Sequence, residues 1–181
     1  MRGDLGRVLV IGPSGAGKTL FARQLAATLA CPWIELDELH WGPNWAQRSE
    51  AEFRALAETA IAGPYWVVDG NYGVLRDLLW PRATSVVWLN YGFATVLLRA
   101  LRRTVRRVAR REQLFSGNRE TFGKAFLSRK SILYWVITTH RRTRRGYEAL
   151  RRSGQFSTLR WVEFQGPWQA EVFLRELKGI A

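Results

Sequence analysis

A single cysteine, Cys31, and two histidines, His40 and His140, are all that 181 residues supply of the soft metal ligands. One cysteine cannot close an internal disulfide, and the set is too small for a structural zinc site. Cys31 is therefore expected to be packing rather than a nucleophile. Long apolar runs are also missing. The longest candidate, Ile132 to Thr139, falls far short of the ~20 residues that cross a bilayer, so no membrane span is expected. The first strand lies close to the start of the chain, which predicts that no signal peptide precedes it and that the protein is cytoplasmic. A hydrophobic content of 47% argues against disorder. The length predicts one domain, residues 1–181, with a sizeable core.

Acidic residues are scarce in one part of the chain only. Residues 1–98 hold 8 Lys+Arg and 9 Asp+Glu, a net of −1. Residues 99–152 hold 17 against 3, a net of +14, while residues 153–181 balance at 3 and 3. The middle segment carries the whole excess of the +13 chain, nearly all of it as arginine. Arginine makes forked contacts with phosphate oxygens, so this segment is expected to handle anions.

Against these absences stands one strong motif. Gly12-Pro13-Ser14-Gly15-Ala16-Gly17-Lys18-Thr19 matches the phosphate-binding pattern G-x-x-x-x-G-K-[ST] at all its fixed positions. The apolar run Val8-Leu9-Val10-Ile11 precedes it as a buried strand, and Leu20, Phe21, Leu25 and Leu29 follow at helical spacing. Strand, glycine loop and helix form the context that the motif requires. The loop amides and helix N-terminus are expected to face the phosphates of a nucleoside triphosphate. Lys18 is expected to reach the outer phosphates, and Thr19 to place its hydroxyl on Mg²⁺.

The rest alternates strands and helices. A second strand is read over Trp33-Ile34-Glu35-Leu36, with Asp37 at its C-terminal end, where open α/β sheets bind ligands. Glu38 to Trp45 reads as a loop whose Trp41 and Trp45 either cover a substrate or plug the sheet edge. Ser49-Glu50-Ala51-Glu52 is a capping box that starts a helix ended by Gly63-Pro64. The third strand, Tyr65 to Val68, delivers Asp69, which either holds Mg²⁺ through water or makes an Asp-Gly turn. A short helix spans Val74 to Trp80, and Ser85 to Leu89 is the fourth strand. A long helix follows from about Phe93 to Arg111, with Leu97, Leu101, Val105 and Val108 as its expected apolar stripe. A loop at Ser116-Gly117-Asn118 and a helical region from about Glu120 through Trp135 come next. Residues 112–152 are read as either a mobile lid or a fixed helical subdomain. Leu159 to Phe164 is the fifth strand, and Gly166-Pro167 opens a last helix. This alternation predicts a parallel sheet with helices on both faces.

The glycine loop, Leu36-Asp37, Val67-Val68-Asp69-Gly70 and the arginine helix together resemble the small P-loop kinases of the adenylate kinase and shikimate kinase type. Within that group the segments Leu36 to Trp41, Trp45 and Trp66 to Tyr72 look like those of bacterial AAA-family ATPases, adenylate kinase-like proteins and DNA topology modulation (FlaR-type) proteins. The resemblance implies a three-layer P-loop NTPase fold, with a five-stranded sheet in the order 2-3-1-4-5 and an arginine-rich helical lid region. It implies ATP and Mg²⁺ as cofactors, with Asp69 as the magnesium aspartate. Arg99 and Arg103 resemble the arginines that clamp transferring phosphates. Trp41, Asn71 and Arg76, with Arg82 more loosely, fall where such enzymes bind the acceptor. Asp37 would contact magnesium or substrate.

Two functions follow. In the first, a kinase moves the γ-phosphoryl group of Mg·ATP to a small anionic acceptor, such as a nucleotide. Asp37 orients or deprotonates the acceptor hydroxyl, or holds metal if the acceptor is a phosphate, while Lys18, Arg99 and Arg103 neutralise developing charge. In the alternative, a nucleic-acid-associated ATPase uses residues 99–152, with Phe126, Tyr134 and Trp135 as stacking platforms. The kinase needs Arg99 and Arg103 at the mouth of the glycine loop; the nucleic-acid binder needs a basic stripe across the outer surface.

Overall fold

The computed structural model describes residues 5–110 and 132–179. Five strands form one sheet: β1 (Arg7–Ile11), β2 (Trp33–Glu35), β3 (Trp66–Asp69), β4 (Ser85–Leu89) and β5 (Arg160–Phe164). Every pairing is parallel, and the order is β2-β3-β1-β4-β5, as expected. Among the described residues the helices are α1 (Lys18–Leu29), α2 (Leu36–His40), α3 (Glu50–Ala60), α4 (Arg76–Leu79), α5 (Phe93–Arg110), α6 (Ile132–Arg152) and, after the last strand, α7 (Pro167–Gly179). None of the described helices is long and apolar enough to cross a membrane.

The period-two alternation of the strands builds two cores. Val8 and Val10 of β1 face α1 and α7 with Val67, Val87, Leu89 and Phe164. Leu9 and Ile11 face the other way, with Trp66, Val68, Val86 and Trp88, against Phe53 and Ala57 of α3 and Tyr147 of α6. Central strands buried on both faces need continuous apolar runs, which is why β1 and β4 lack polar alternation. Cys31 packs partly buried against the first core, where burial raises its thiol pKa, in keeping with a packing role.

Several boundaries differ from expectation. β2 stops at Glu35, so Asp37 sits in the first turn of α2 rather than at a strand end. The expected loop after it holds that helix, a 3₁₀ turn at Pro43–Trp45 and an antiparallel bridge between Trp41 and Gln47. Arg48 holds this segment closed by donating to the carbonyls of Glu38, Leu39 and Trp41. The Arg141–Arg145 cluster and Tyr147 lie within one helix, α6. The expected loop at 116–118, the helical start near Glu120 and Phe126 lie outside the described residues.

The buried face of α5 is also displaced. Val96, Ala100 and Thr104 are buried, whereas Leu101 and Val105 are 40% and 51% exposed. The cause is close approach to the glycine loop. A Cβ on Gly15 would lie 2.9 Å from the Ala100 Cβ and 2.9 Å from the Val96 carbonyl oxygen. The face set against the loop is the one that carries Val96 and Ala100, so Leu101 and Val105, on other sides of the helix, turn outward.

Candidate active site

The loop from Gly12 to Gly17 joins β1 to α1. Gly12, Gly15 and Gly17 all take positive φ, at 148°, 91° and 93°. At Gly12 the requirement is steric as well, since a Cβ would meet the Leu89 carbonyl oxygen at 2.7 Å. α1 starts at Lys18 behind Gly17 with no side-chain cap. Its first amides are therefore left for an anion. Lys18 Nζ bends back onto the loop, donating to the carbonyls of Gly12 (3.0 Å) and Pro13 (3.3 Å).

Three carboxylates from neighbouring elements meet this lysine: Glu35 from β2, Asp37 from α2 and Asp69 from β3, all acting on its charge. The Thr19 hydroxyl donates to Glu35 (3.2 Å), and the Trp33 indole N–H donates to Asp69 (3.0 Å). The Tyr72 hydroxyl donates to Asp37 over 2.6 Å. Behind that pair, His40 lies 4.8 Å from the Trp41 ring, 5.0 Å from Phe53 and 4.8 Å from Tyr72. Trp41 in turn meets Trp45 edge-on at 5.7 Å. On the opposite side Arg99 of α5 reaches over the loop: a Cβ on Gly17 would lie 2.7 Å from its Nη2. Arg103, one turn further along, is near enough to act on the charge of Lys18.

Residues 8–67 match the AAA family, described as the ATPase family associated with various cellular activities. That span holds the glycine loop, covers about a third of the chain and stops short of Asp69. No curated protein matches the sequence. Solved structures align over nearly all of it. The shikimate kinase of Acinetobacter baumannii, solved with shikimate, is 17% identical, with 97% of this chain and 92% of that one covered at a TM-score of 0.58. A gluconokinase of Sinorhizobium meliloti is 19% identical, with 97% and 90% covered at a TM-score of 0.52. The shikimate kinase of Bacteroides thetaiotaomicron is 17% identical, with 97% of both chains covered at 0.50. This is the fold of a small P-loop kinase.

Within the P-loop kinase fold the electrostatics are set by burial of charged groups close to one another. Burial raises the Glu35 pKa to about 7, helped by the charges of Asp69 and Asp37. Burial likewise raises Asp69 to about 6, against the pull of the Trp33 hydrogen bond and Lys18. Lys18 itself is lowered by burial, with Asp69 and Asp37 pulling it back and Arg103 adding to the depression. Asp69 and Asp37 raise the Glu35 pKa through their charges, and a divalent ion held near Thr19 and Asp69 would relieve that repulsion. The donor set is hard oxygen, a hydroxyl and carboxylates, which fits Mg²⁺ retaining part of its water shell. The positive-φ loop and uncapped helix fit a polyphosphate.

Of the residues expected at the acceptor, Asn71 is exposed and also binds the loop backbone: its Nδ2 donates to the Gly12 carbonyl at 2.5 Å. Arg76 is exposed at the start of α4 and lines a cavity of about 20 Å³ with Tyr72, Gly73 and Tyr147. Arg82 lies at the other end of the sheet, where its carbonyl accepts from the Arg7 guanidinium ahead of β4. It is one strand length away from the P-loop. Sequence reasoning missed Glu35, Trp33 and Tyr72. The i, i+2 spacing of Glu35 and Asp37 at a strand end was the available signal.

Proposed function

We propose that this chain is a Mg·ATP-dependent phosphotransferase acting on a small, hydroxylated anionic acceptor. The observation that carries the reading is the guanidinium of Arg99 lying against Gly17, with Arg103 acting on Lys18. Arginines that served only an outer binding surface would not converge on a phosphate loop. Lys18, Arg99 and Arg103 would neutralise charge on the transferring group. Thr19 and Asp69, with Glu35 behind Thr19, would hold a magnesium ion, which would supply positive charge to the phosphates. Asp37 would orient the acceptor hydroxyl, since Tyr72 fixes one of its two carboxylate oxygens. Trp41 would border the acceptor through its contact with His40, and Arg76 would meet an anionic group on it. The shikimate and glucono- acceptors of the structural neighbours are hydroxylated acids, which supports that acceptor class; nucleoside monophosphates are the other candidates.

The test is phosphorus NMR of the protein with Mg·ATP and pooled hydroxy acids, sugar acids and nucleoside monophosphates. A new phosphorylated product is expected, lost with Lys18→Ala. Asp37→Asn should reduce transfer by about 10²–10⁴-fold while leaving ATP affinity within about threefold. ADP and phosphate alone, with no phosphorylated acceptor, would sink the kinase reading.

A second reading draws on α6. Arg141, Arg142 and Arg145 are exposed beside exposed Tyr134 and Trp135. Hydrolysis stimulated by DNA or RNA, persisting at physiological salt, would favour a nucleic-acid-associated ATPase of the topology-modulation kind.

A further inference from the structure

We propose that Asn71 and Tyr147 are positioning residues: a hydrogen-bonded chain from Tyr147 on α6 through Asn71 to Gly12 sets the P-loop backbone on which Lys18 is anchored. The proposal rests on the nucleotide-binding reading of the loop.

The backbone pairing of β1 with β3 ends at Val10 and Asp69. Gly70 then turns the chain at φ 140°, tight beneath Leu36, whose Cβ would lie 2.8 Å from a Cβ placed there. That turn returns Asn71 to the end of β1, where its side-chain amide continues the ladder in place of a backbone peptide. Nδ2 donates to the Gly12 carbonyl at 2.5 Å, and Oδ1 accepts from the Gly12 N–H at 3.4 Å. The same Oδ1 accepts from the Tyr147 hydroxyl at 2.9 Å. Flipping the amide would set Oδ1 against the Gly12 carbonyl and Nδ2 against the Gly12 N–H. The loop therefore dictates its orientation, and Tyr147 reinforces it.

Tyr147 is itself held firmly. Its ring stacks on Trp80 at 6.4 Å and meets Trp88 edge-on at 6.1 Å. Burial raises the phenol pKa, so the hydroxyl remains a donor. Two turns earlier on α6, the His140 ring nitrogen lies 3.0 Å from the carbonyl of Tyr91, just ahead of α5. The helix that carries the exposed arginine cluster is thus tied to the surroundings of the P-loop at two points.

The chemical consequence lies at the Gly12 carbonyl. Without ligand it accepts from both Lys18 and Asn71. Lys18 has three N–H donors and uses two on the carbonyls of Gly12 and Pro13, which leaves the third for a phosphate. Asn71 adds a second, uncharged donor at Gly12 and so fixes the carbonyl that orients the lysine.

The experiment uses the full-length protein and the variants Asn71→Ala, Tyr147→Phe and the double variant. Mg·ATP affinity is measured by calorimetry, kcat and acceptor KM by turnover, and the Gly12 amide by ¹⁵N NMR without ligand. Each single variant should weaken Mg·ATP binding by about tenfold, and the double variant should lose no more than Asn71→Ala. Acceptor KM should be unchanged, and the Gly12 amide should shift and exchange faster in both single variants. Wild-type affinity in Tyr147→Phe, or losses that multiply in the double variant, would overturn the chain. A raised acceptor KM in Asn71→Ala with unaltered Mg·ATP affinity would overturn it too, returning Asn71 to acceptor binding. If the wild-type protein bound no ATP, the nucleotide reading would fail by itself. The Gly12 amide would then decide the chain, supporting it if Tyr147→Phe moves that resonance and refuting it if not.

Discussion

Replacing Asp69 by asparagine should make the ligand-free protein more stable at pH 8 and no more stable at pH 4. Asp69 is 2% exposed, and its pKa is raised from 3.8 to about 6, chiefly by burial. Stability linked to its proton is fully present below the unfolded value and is lost as pH rises through about 6. The gap between the two values corresponds to ~3 kcal/mol of unfavourable free energy once the carboxylate ionises. Asparagine has the same shape, carries no charge and can still accept from Trp33. The attraction of Lys18 is already contained in that net value, so the gain at pH 8 is ~3 kcal/mol. For a domain of this size that is a rise of about 6–12 °C in Tm. Thermal unfolding of both proteins at pH 4 and pH 8, without nucleotide or Mg²⁺, measures it. The variant should at the same time lose the Mg²⁺-dependent part of nucleotide affinity. A lower Tm for Asp69→Asn at pH 8, or a difference independent of pH, would refute the argument that this carboxylate is held ionised at a cost for the sake of a cation.

Two further outcomes test the local reading. Ser49→Ala should cost about 1 kcal/mol in urea unfolding and leave nucleotide affinity unaltered, because both halves of the capping box on α3 are formed: Glu52 N–H to Ser49 Oγ at 3.2 Å, Ser49 N–H to Glu52 at 3.0 Å. Gly12→Ala should cost about 2 kcal/mol or more and lower nucleotide affinity, since the new methyl meets the Leu89 carbonyl; a variant of wild-type stability would show that the loop relaxes freely.

The fold was legible because its signals are local. Continuous apolar runs marked β1 and β4, glycine spacing marked the P-loop, and Ser49 with Glu52 marked the start of α3. Where a motif fixes residues close to the glycine loop, as with Lys18, Thr19, Asp37 and Asp69, the sequence pointed to side chains that the fold brings near one another. What escaped depends on side chains that are far apart in sequence. Trp33 reaches Asp69 across 36 residues, and Tyr147 reaches Asn71 across 76. Nothing in the local pattern announces either pairing. The buried face of α5 escaped for another reason. Hydrophobicity selects Leu101 and Val105, but the face that packs is fixed by the approach of Val96 and Ala100 to Gly15, a contact distant in sequence.

The chain finishes its helices in two contrasting ways. α3 is closed by its own serine and glutamate, whereas α1 begins behind a left-handed glycine with no side chain to accept from its first amides. In thermodynamic terms α1 is a helix whose first amides a bound anion would complete. An anion bound there would couple the folding equilibrium to its own concentration by mass action, and saturation a hundredfold above Kd would add about 2.7 kcal/mol to the folded state. On the proposed nucleotide-binding reading, resistance to unfolding would then rise and fall with the nucleotide supply.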